Sequence, residues 1–326
     1  MRAPDFWHRP ESAMGAILGP IGALYDTAGQ LRSALTKARR LPRPVICTGN
    51  LTTGGAGKTP TAIAIARWFL ARGMVPHFLT RGYRGRAAGP LRVDPNRHDF
   101  RDVGDEALLL AAVAPTWIGG NRLASGLAAC SAGADLLVMD DGLQNPALAK
   151  DLSLVVVDGG YGIGNGRVFP AGPLRETVAH GLSRADAAVM IGGDATGLAP
   201  AIERRLPVLE ARLVPDPAAR ALAGKRVFAF AGIGRPAKFF TTLEGLGATL
   251  AKRVTFDDHH AYHPDEIMRL VEAADTSGAQ LVTTEKDFVR FPSQARPMVT
   301  AVPVHLEWCD EAALGRLFGR FLETHG

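Results

Sequence analysis

Chemistry in this chain concentrates first at Thr52-Thr53-Gly54-Gly55-Ala56-Gly57-Lys58-Thr59-Pro60, a glycine-rich turn that follows the apolar run Val45-Ile-Cys-Thr. Glycines of this kind expose backbone N–H groups that point at phosphate oxygens, and a helix starting at the turn adds its positive end. Thr52 through Gly57 would form the cradle and Lys58 would reach the β- and γ-phosphates, while the Thr59 hydroxyl would take a place on Mg²⁺. Position 52 is Thr where the standard pattern has Gly, so the loop is an imperfect Walker A. Pro60 suits a first helical turn, where its missing N–H would be unpaired anyway.

Acids and histidines supply the rest. Leu136-Leu-Val-Met-Asp140-Asp141 reads as a buried strand ending in two carboxylates, where phosphate-loop folds keep an acid for Mg²⁺ or its waters. Neighbouring strand residues point to opposite faces, so Asp140 and Asp141 should not do the same job; which lies nearer the metal stays open. Asp102-Val-Gly104-Asp105-Glu106 opens a helix, where acids suit the dipole by themselves. Asp257-Asp258-His259-His260-Ala-Tyr262-His263 gathers metal-capable groups but lacks a clean helical i, i+4 histidine pair or a cysteine partner, so acid–base work or substrate contact is the better reading.

The elements that must position these residues alternate. Apolar strand candidates at 77–80, 116–119, 136–139, 154–157, 187–191 and 208–213 are interleaved with helical stretches at 61–72, 106–113 and 123–132. Alternation of this kind predicts a mostly parallel sheet covered on both faces. A proline-containing connector, Leu213 to Pro217, precedes a new strand at 226–231, the turn Gly232-Ile-Gly234 and a helix through Leu246. That turn reads as a plain tight turn rather than a second nucleotide site. The predicted fold class is α/β, a phosphate-loop NTPase-like sheet flanked by helices over 1–217, with a second, smaller α/β domain over 218–326.

Ahead of the loop, Met14, Ile17, Leu18, Ile21, Leu24, Tyr25, Leu31 and Leu35 recur at helical spacing, with Phe6 and Trp7 before them and basic residues behind. The stripe fits a helix lying in a membrane interface and equally one packed on its own domain. Gly15, Gly19 and Gly22 should weaken that helix, and Pro20 should kink it.

Composition narrows the class. Apolar residues make 47% and charged residues 21% of the chain, as in a globular protein. Cys47, Cys130 and Cys309 have no paired spacing, which argues against a disulfide framework or a zinc site and for a reducing cytoplasm. No secretory leader and no apolar run of about 18 residues is evident, so membrane contact is expected to be peripheral. Net charge is +5, yet no Asp or Glu occurs between Thr27 and Val93 while basic residues recur from Arg32 to Arg92. An anionic partner is implied, either a lipid surface or a phosphorylated substrate. Nucleic acid fits less well, because no binding module accompanies the charge.

Gly49-Asn-Leu-Thr-Thr-Gly-Gly-Ala-Gly-Lys-Thr-Pro60, Thr80-Arg-Gly-Tyr83, Val103-Gly-Asp-Glu106, Asp140-Asp-Gly-Leu-Gln144, Phe169-Pro-Ala-Gly-Pro-Leu-Arg-Glu176, Asp258-His259 and Thr283-Thr-Glu-Lys-Asp287 together resemble, in order, the motifs of the tetraacyldisaccharide 4'-kinases of Gram-negative bacteria. The resemblance implies transfer of the ATP γ-phosphate to the 4'-hydroxyl of a tetraacylated disaccharide 1-phosphate, giving lipid IVA at the cytoplasmic face of the inner membrane. It implies ATP and Mg²⁺ as cofactors, an anionic glycolipid as partner with no obligate protein partner, and a cleft between two domains. By the same likeness Asp105 and His259 form the base pair, beside Lys58. Thr59 with Asp140 or Asp141, and Glu106 as a further candidate, would organise the metal. Arg81, Tyr83, Arg175, Glu176 and Lys286 become candidates for the head group, an Arg fork suiting a phosphate. A nucleotide-dependent switch would share Lys58, Thr59 and Asp140 but would not need Asp105 or His259; a soluble kinase for a small metabolite would leave the N-terminal stripe unexplained.

Overall fold

The computed structural model describes residues 4–325. Helix α1 (Ala13–Leu35) starts at Ser12, whose hydroxyl accepts the Gly15 N–H, and it runs without a break through Pro20. Strand β1 (Val45–Gly49) enters the glycine-rich loop and helix α2 (Lys58–Leu70) leaves it. The chain then forms β2 (Pro76–Thr80), β3 (Leu91–Arg92), α3 (Phe100–Val103), α4 (Asp105–Ala111), β4 (Thr116–Ile118), α5 (Arg122–Ser131), β5 (Leu136–Met139), β6 (Leu152–Asp158), α6 (Val178–Leu182), β7 (Ala187–Ile191), α7 (Ala199–Glu203) and β8 (Val208–Pro215). Beyond the proline connector come β9 (Arg226–Ala231), α8 (Pro236–Gly245), β10 (Thr249–Thr255), α9 (Pro264–Thr276), β11 (Gln280–Thr284), α10 (Glu285–Phe288), β12 (Thr300–Val302), β13 (Val304–Trp308) and α11 (Glu311–His325).

The strands make two sheets. The larger has nine strands in the order β13-β8-β7-β6-β1-β5-β2-β4-β3, and the smaller has four in the order β10-β9-β11-β12. Pairing in the large sheet is parallel except at its edges, where β3 and β13 run antiparallel to their neighbours. Strands β1, β2, β5, β6 and β7 are buried at every position, which is why they read as continuous apolar runs. Alternation sorts their side chains: Ile46, Val138, Leu154 and Val189 pack with Phe69 of α2 on one face, while Val45, Cys47, Leu137 and Met139 meet Ala129 of α5 on the other.

The C-terminal end departs from the expected second domain at 218–326. Only the chain as far as β12 builds the small sheet. Strand β13 then crosses back and pairs with β8 from Val304↔Pro215 to Trp308↔Ala211. Helix α11 follows it onto the first face, with the Phe318 ring 5.2 Å from Phe69 and 4.9 Å from Trp68. Leu306, Leu314, Phe318 and Phe321 thus find their burial in the first core, and that burial is the physical reason for the return.

Helix α1 also differs from expectation. Its glycines are contact points: a Cβ at Gly22 would lie 2.7 Å from the Val168 carbonyl oxygen, and one at Gly15 3.3 Å from that of Ala171. The apolar stripe faces away, with Ile17 70%, Leu24 71% and Leu35 77% exposed.

Because Phe318 of α11 is fully buried against Trp68 and Phe69 of α2, Phe318→Ala should cost about 3–5 kcal/mol of stability. Denaturant unfolding would read this, and a loss below about 1 kcal/mol would mean that α11 is not part of the first core.

Candidate active site

The glycine-rich loop is fastened along one side. Thr53 N–H donates to the Pro173 carbonyl at 2.7 Å and Arg175 N–H to that of Leu51 at 2.7 Å, forming a bridge around Thr52 and Leu174. Gly57 adopts φ 91°, and a Cβ there would stand 2.4 Å from Ile191 Cδ1, so the turn into α2 requires glycine twice over. Gly54 and Gly55 have open space around them. Lys58 is the first residue of α2, and burial pulls its ammonium below the usual range against the attraction of Asp141, whose carboxylate is 3.8 Å away.

The two acids at the end of β5 separate as the strand geometry requires. Asp140 is buried and accepts the Thr59 hydroxyl at 2.8 Å. Burial, helped by Asp141, pushes its carboxyl up to about 6, and its other oxygen has no hydrogen-bond partner. Asp141 turns away at φ 54° and takes the Arg175 guanidinium at 3.0 and 3.2 Å. Burial opposes its ionisation, but Lys58 and Arg175 outweigh that and hold it below the usual range.

A second group forms between the two sheets. Asp105, at the start of α4, meets His259 Nδ1 at 2.9 Å and Arg290 Nη2 at 2.6 Å, both from the smaller-sheet part of the chain. Burial works against the charge, yet hydrogen bonds from Glu106 and His259 and the charges of Lys286 and Arg290 keep Asp105 well below the usual carboxylate range. Glu106 goes the other way, to about 7, through burial and the neighbouring Asp105 carboxylate. One of its oxygens lies 2.8 Å from Lys286 Nζ. Arg290 is anchored by Asp287 at 3.0 Å and by the Gly232 carbonyl at 2.9 Å, and Asp287 in turn accepts the Tyr262 hydroxyl at 2.7 Å. Tyr83 sets its ring edge-on to His259, and Arg84 reaches the Asp258 and His259 carbonyls at 3.3 Å. On the other flank of the loop, Arg235 donates to the Gly55 carbonyl at 2.9 Å and pairs with Asp158 at 2.8 Å, where Lys238 joins it.

A phosphate cradle beside an acid–histidine pair shared by two sheets can move a phosphoryl group and a proton together. A family model described as tetraacyldisaccharide-1-P 4'-kinase matches residues 14–323. The chain belongs to this family. The "Tetraacyldisaccharide 4'-kinase" of Rhodospirillum centenum is 50% identical over 334 residues, covering 100% of this chain and 99% of the relative. That of Gluconacetobacter diazotrophicus is 52% identical over 324 residues, covering 99% of each. A crystal structure of LpxK from Aquifex aeolicus in complex with ATP superposes with a TM-score of 0.75 at 26% identity, covering 94% of this chain and 99% of that one. As a tetraacyldisaccharide 4'-kinase the chain is an ATP-dependent phosphotransferase of lipid A biosynthesis.

Most residues expected at the kinase site do converge, with changed neighbours. Lys286, expected at a head group, lies with Glu106, and Arg175 is engaged by Asp141. Glu176 is a correction: it is buried, ion-paired with Arg184 and hydrogen-bonded to Gln144 at 2.9 Å, so it does not face a ligand. Arg81 and Tyr83 are exposed. The run 257–263 divides, because His260 pairs with Glu266 at 3.1 Å and stacks on Phe256, while His263 begins α9. Sequence reasoning missed Arg290, Arg235, Asp158 and Arg84. The spacing of Arg290, three residues after Asp287 and so on the same helical side, is the one local signal for it.

Among the described residues two places could hold a cation. Asp105, Glu106 and His259 offer atoms within 4.8 Å of one another, but Lys286 already sits against Glu106 there. The Thr59 hydroxyl and the unpartnered oxygen of Asp140 form the hard oxygen set that Mg²⁺ prefers, and they fit it better.

Gly57→Ala combines a left-handed backbone with a clash against Ile191 and should weaken ATP binding about tenfold or more, the equivalent of roughly 1–3 kcal/mol of strain. Calorimetric titration with ATP would measure it; unchanged affinity would show that the loop is not the nucleotide cradle.

Proposed function

We propose that transfer of the ATP γ-phosphate to the 4'-hydroxyl of tetraacyldisaccharide 1-phosphate takes place in the cleft between the two sheets, with lipid IVA as product. The observation that carries this reading is the Asp105–His259 contact across that cleft, in a chain with the Gly57-Lys58-Thr59 loop of a family of 4'-kinases. A nucleotide switch has no need of such a pair.

Phosphoryl transfer asks mainly for positioning and charge neutralisation. Lys58 and the N–H groups of Gly54 to Thr59 do this for the β- and γ-phosphates. Bound Mg²⁺, held by Thr59 and Asp140 with Glu106 as a further candidate, would neutralise phosphate charge in the same place. Asp141 restrains Lys58 on one side and Arg175 on the other.

The acceptor is a sugar hydroxyl, whose proton must leave as the O–P bond forms. Asp105 is the carboxylate placed to take that proton, and His259, in contact with it through Nδ1 at 2.9 Å, orients it, so the two act as one base. Since the two groups belong to different sheets, the base is complete only when the cleft is closed, which keeps ATP from being spent on water.

The exposed stripe of α1, followed by Arg32, Lys37, Arg39, Arg40 and Arg43, suits the anionic cytoplasmic face of the inner membrane. Among the described residues no helix is long and apolar enough to cross a membrane, and the proposed association is a peripheral one carried by this exposed face. Tyr83, exposed with its ring edge-on to His259, and Arg81, exposed two residues before it, are the side chains we assign to the phosphorylated sugar.

The test is transfer of labelled γ-phosphate to detergent-dispersed tetraacyldisaccharide 1-phosphate. Lys58→Ala should abolish labelled lipid. His259→Ala should lower the rate by roughly 10²–10⁴-fold while ATP still binds. Hydrolysis of ATP without labelled lipid in the unaltered protein would overturn the kinase reading, and an undiminished rate in His259→Ala would overturn the base pair.

A further inference from the structure

Helix α1 carries one buried acid. Asp26 lies on the inner side of a helix whose outer side is apolar, and it has no part in the chemistry above. One of its oxygens accepts the Thr177 main-chain N–H at 3.1 Å and the other accepts Gln30 Nε2 at 2.8 Å. Thr177 ends a short strap, Pro173 to Thr177, whose residues are tied one after another to the glycine-rich loop and its neighbours. Pro173 accepts Thr53 N–H, Leu174 bridges to Thr52, and Arg175 donates its N–H to Leu51 and its guanidinium to Asp141. Glu176 holds Gln144, whose amide also donates to the Asn50 carbonyl at 2.9 Å. The strap therefore connects α1 at one end with the phosphate loop and Asp141 at the other, and Asp26 is its side-chain anchor on α1.

We propose that Asp26 is a positioning residue for phosphoryl transfer, fixing the Pro173–Thr177 strap, and through it Thr52, Thr53 and Asp141, to the lipid-facing helix. The proposal rests on reading the Thr52–Thr59 loop as the ATP site. A buried acceptor that loses its place leaves the Thr177 N–H unpaired in a part-buried setting, and that cost is relieved by movement of the strap. Movement at Pro173 or Arg175 changes the loop directly, through the Thr53 N–H and the Leu51 carbonyl.

The experiment uses the full chain as Asp26→Ala, Asp26→Asn and Thr177→Pro. Asparagine keeps an acceptor oxygen for Thr177. Proline removes the N–H donor itself at a backbone angle it tolerates, φ −62°. Expected are an ATP dissociation constant and an ATP KM raised about three- to tenfold in Asp26→Ala and in Thr177→Pro, with Asp26→Asn within about twofold of the unaltered protein. A purely structural role would lower the melting temperature and the active fraction but leave both constants unmoved, and that result overturns the proposal. So does Asp26→Asn as impaired as Asp26→Ala, or a change confined to the KM for lipid. Should Asp26→Ala fail to fold, Thr177→Pro carries the same comparison. ATP affinity is read by calorimetry without lipid, so failure of lipid phosphorylation in the unaltered protein would count against the kinase reading and leave this test standing.

Discussion

The structure depends on a buried negative charge that its own sheet does not balance. Removing a carboxylate from water costs several kcal/mol unless charges and hydrogen bonds replace the solvent. Asp105 is 3% exposed, and its replacements, His259 and Arg290, both come from the smaller-sheet part of the chain. Arg290, itself 2% exposed, is balanced in turn by Asp287 and the Gly232 carbonyl. Around this chain of charges the main apolar clusters keep to their own sheets: Phe69, Phe318 and Val138 in one, Phe239, Phe240 and Val282 in another. The two parts of the molecule meet at the site largely through polar groups, with Val289 packed against the Val103, Ala107 and Leu108 cluster beside them. Such a junction is held strongly when every charge is matched and weakly when one is missing, which suits the closure around a lipid proposed for this cleft.

Backbone strain collects in the same place. Among the described residues the non-glycine positions with left-handed backbone are Arg84, Asp141 and His259, at φ 64°, 54° and 61°. Each such residue costs on the order of 1–3 kcal/mol and persists only where its surroundings over-determine it. Here those surroundings are the site itself: Arg175 and Lys58 against Asp141, Asp105 against His259, and two carbonyls of the 258–259 turn against Arg84. The strain at Asp141 has a visible use, since it turns that carboxylate toward Arg175 and leaves Asp140 alone with Thr59.

Legibility in the sequence followed the range of the interaction. Strands β5, β7 and β9 stood out residue for residue, because a fully buried strand is a continuous apolar run with no competing local pattern. The glycine-rich turn between β1 and α2 was legible for the same kind of reason: its pattern is written in adjacent residues. By contrast, Val304 to Trp308 has the pattern of a strand but nothing local says which sheet it joins, and the antiparallel edge of β8 is almost a hundred residues behind it. Arg290 and Arg235 were hidden likewise, one looking like a surface cation after a short helix and the other like the end of a turn. Glu176 looked exposed beside Arg175 because the partner that buries it, Arg184, lies beyond α6.

Helix α1 reverses the usual distribution of side chains. An ordinary surface helix puts leucine inward and small or polar residues outward. Here the inward positions are Gly15, Gly22 and Asp26, while Met14, Ile17, Ile21, Leu24, Leu31 and Leu35 point out. The inward choice follows from the packing: the carbonyls of Val168 and Ala171 come so close that only glycine fits, and the carboxylate has a main-chain N–H to satisfy. The outward choice has no such cause within the chain. Water would penalise that face by about 25 cal/mol for each Å² of apolar surface, whereas an acyl-chain boundary would reward it. The proposed lipid interface thus accounts for the outward side as packing accounts for the inward one, and it puts the strap from Asp26 to Asp141 between the substrate's surroundings and the phosphate it is to receive.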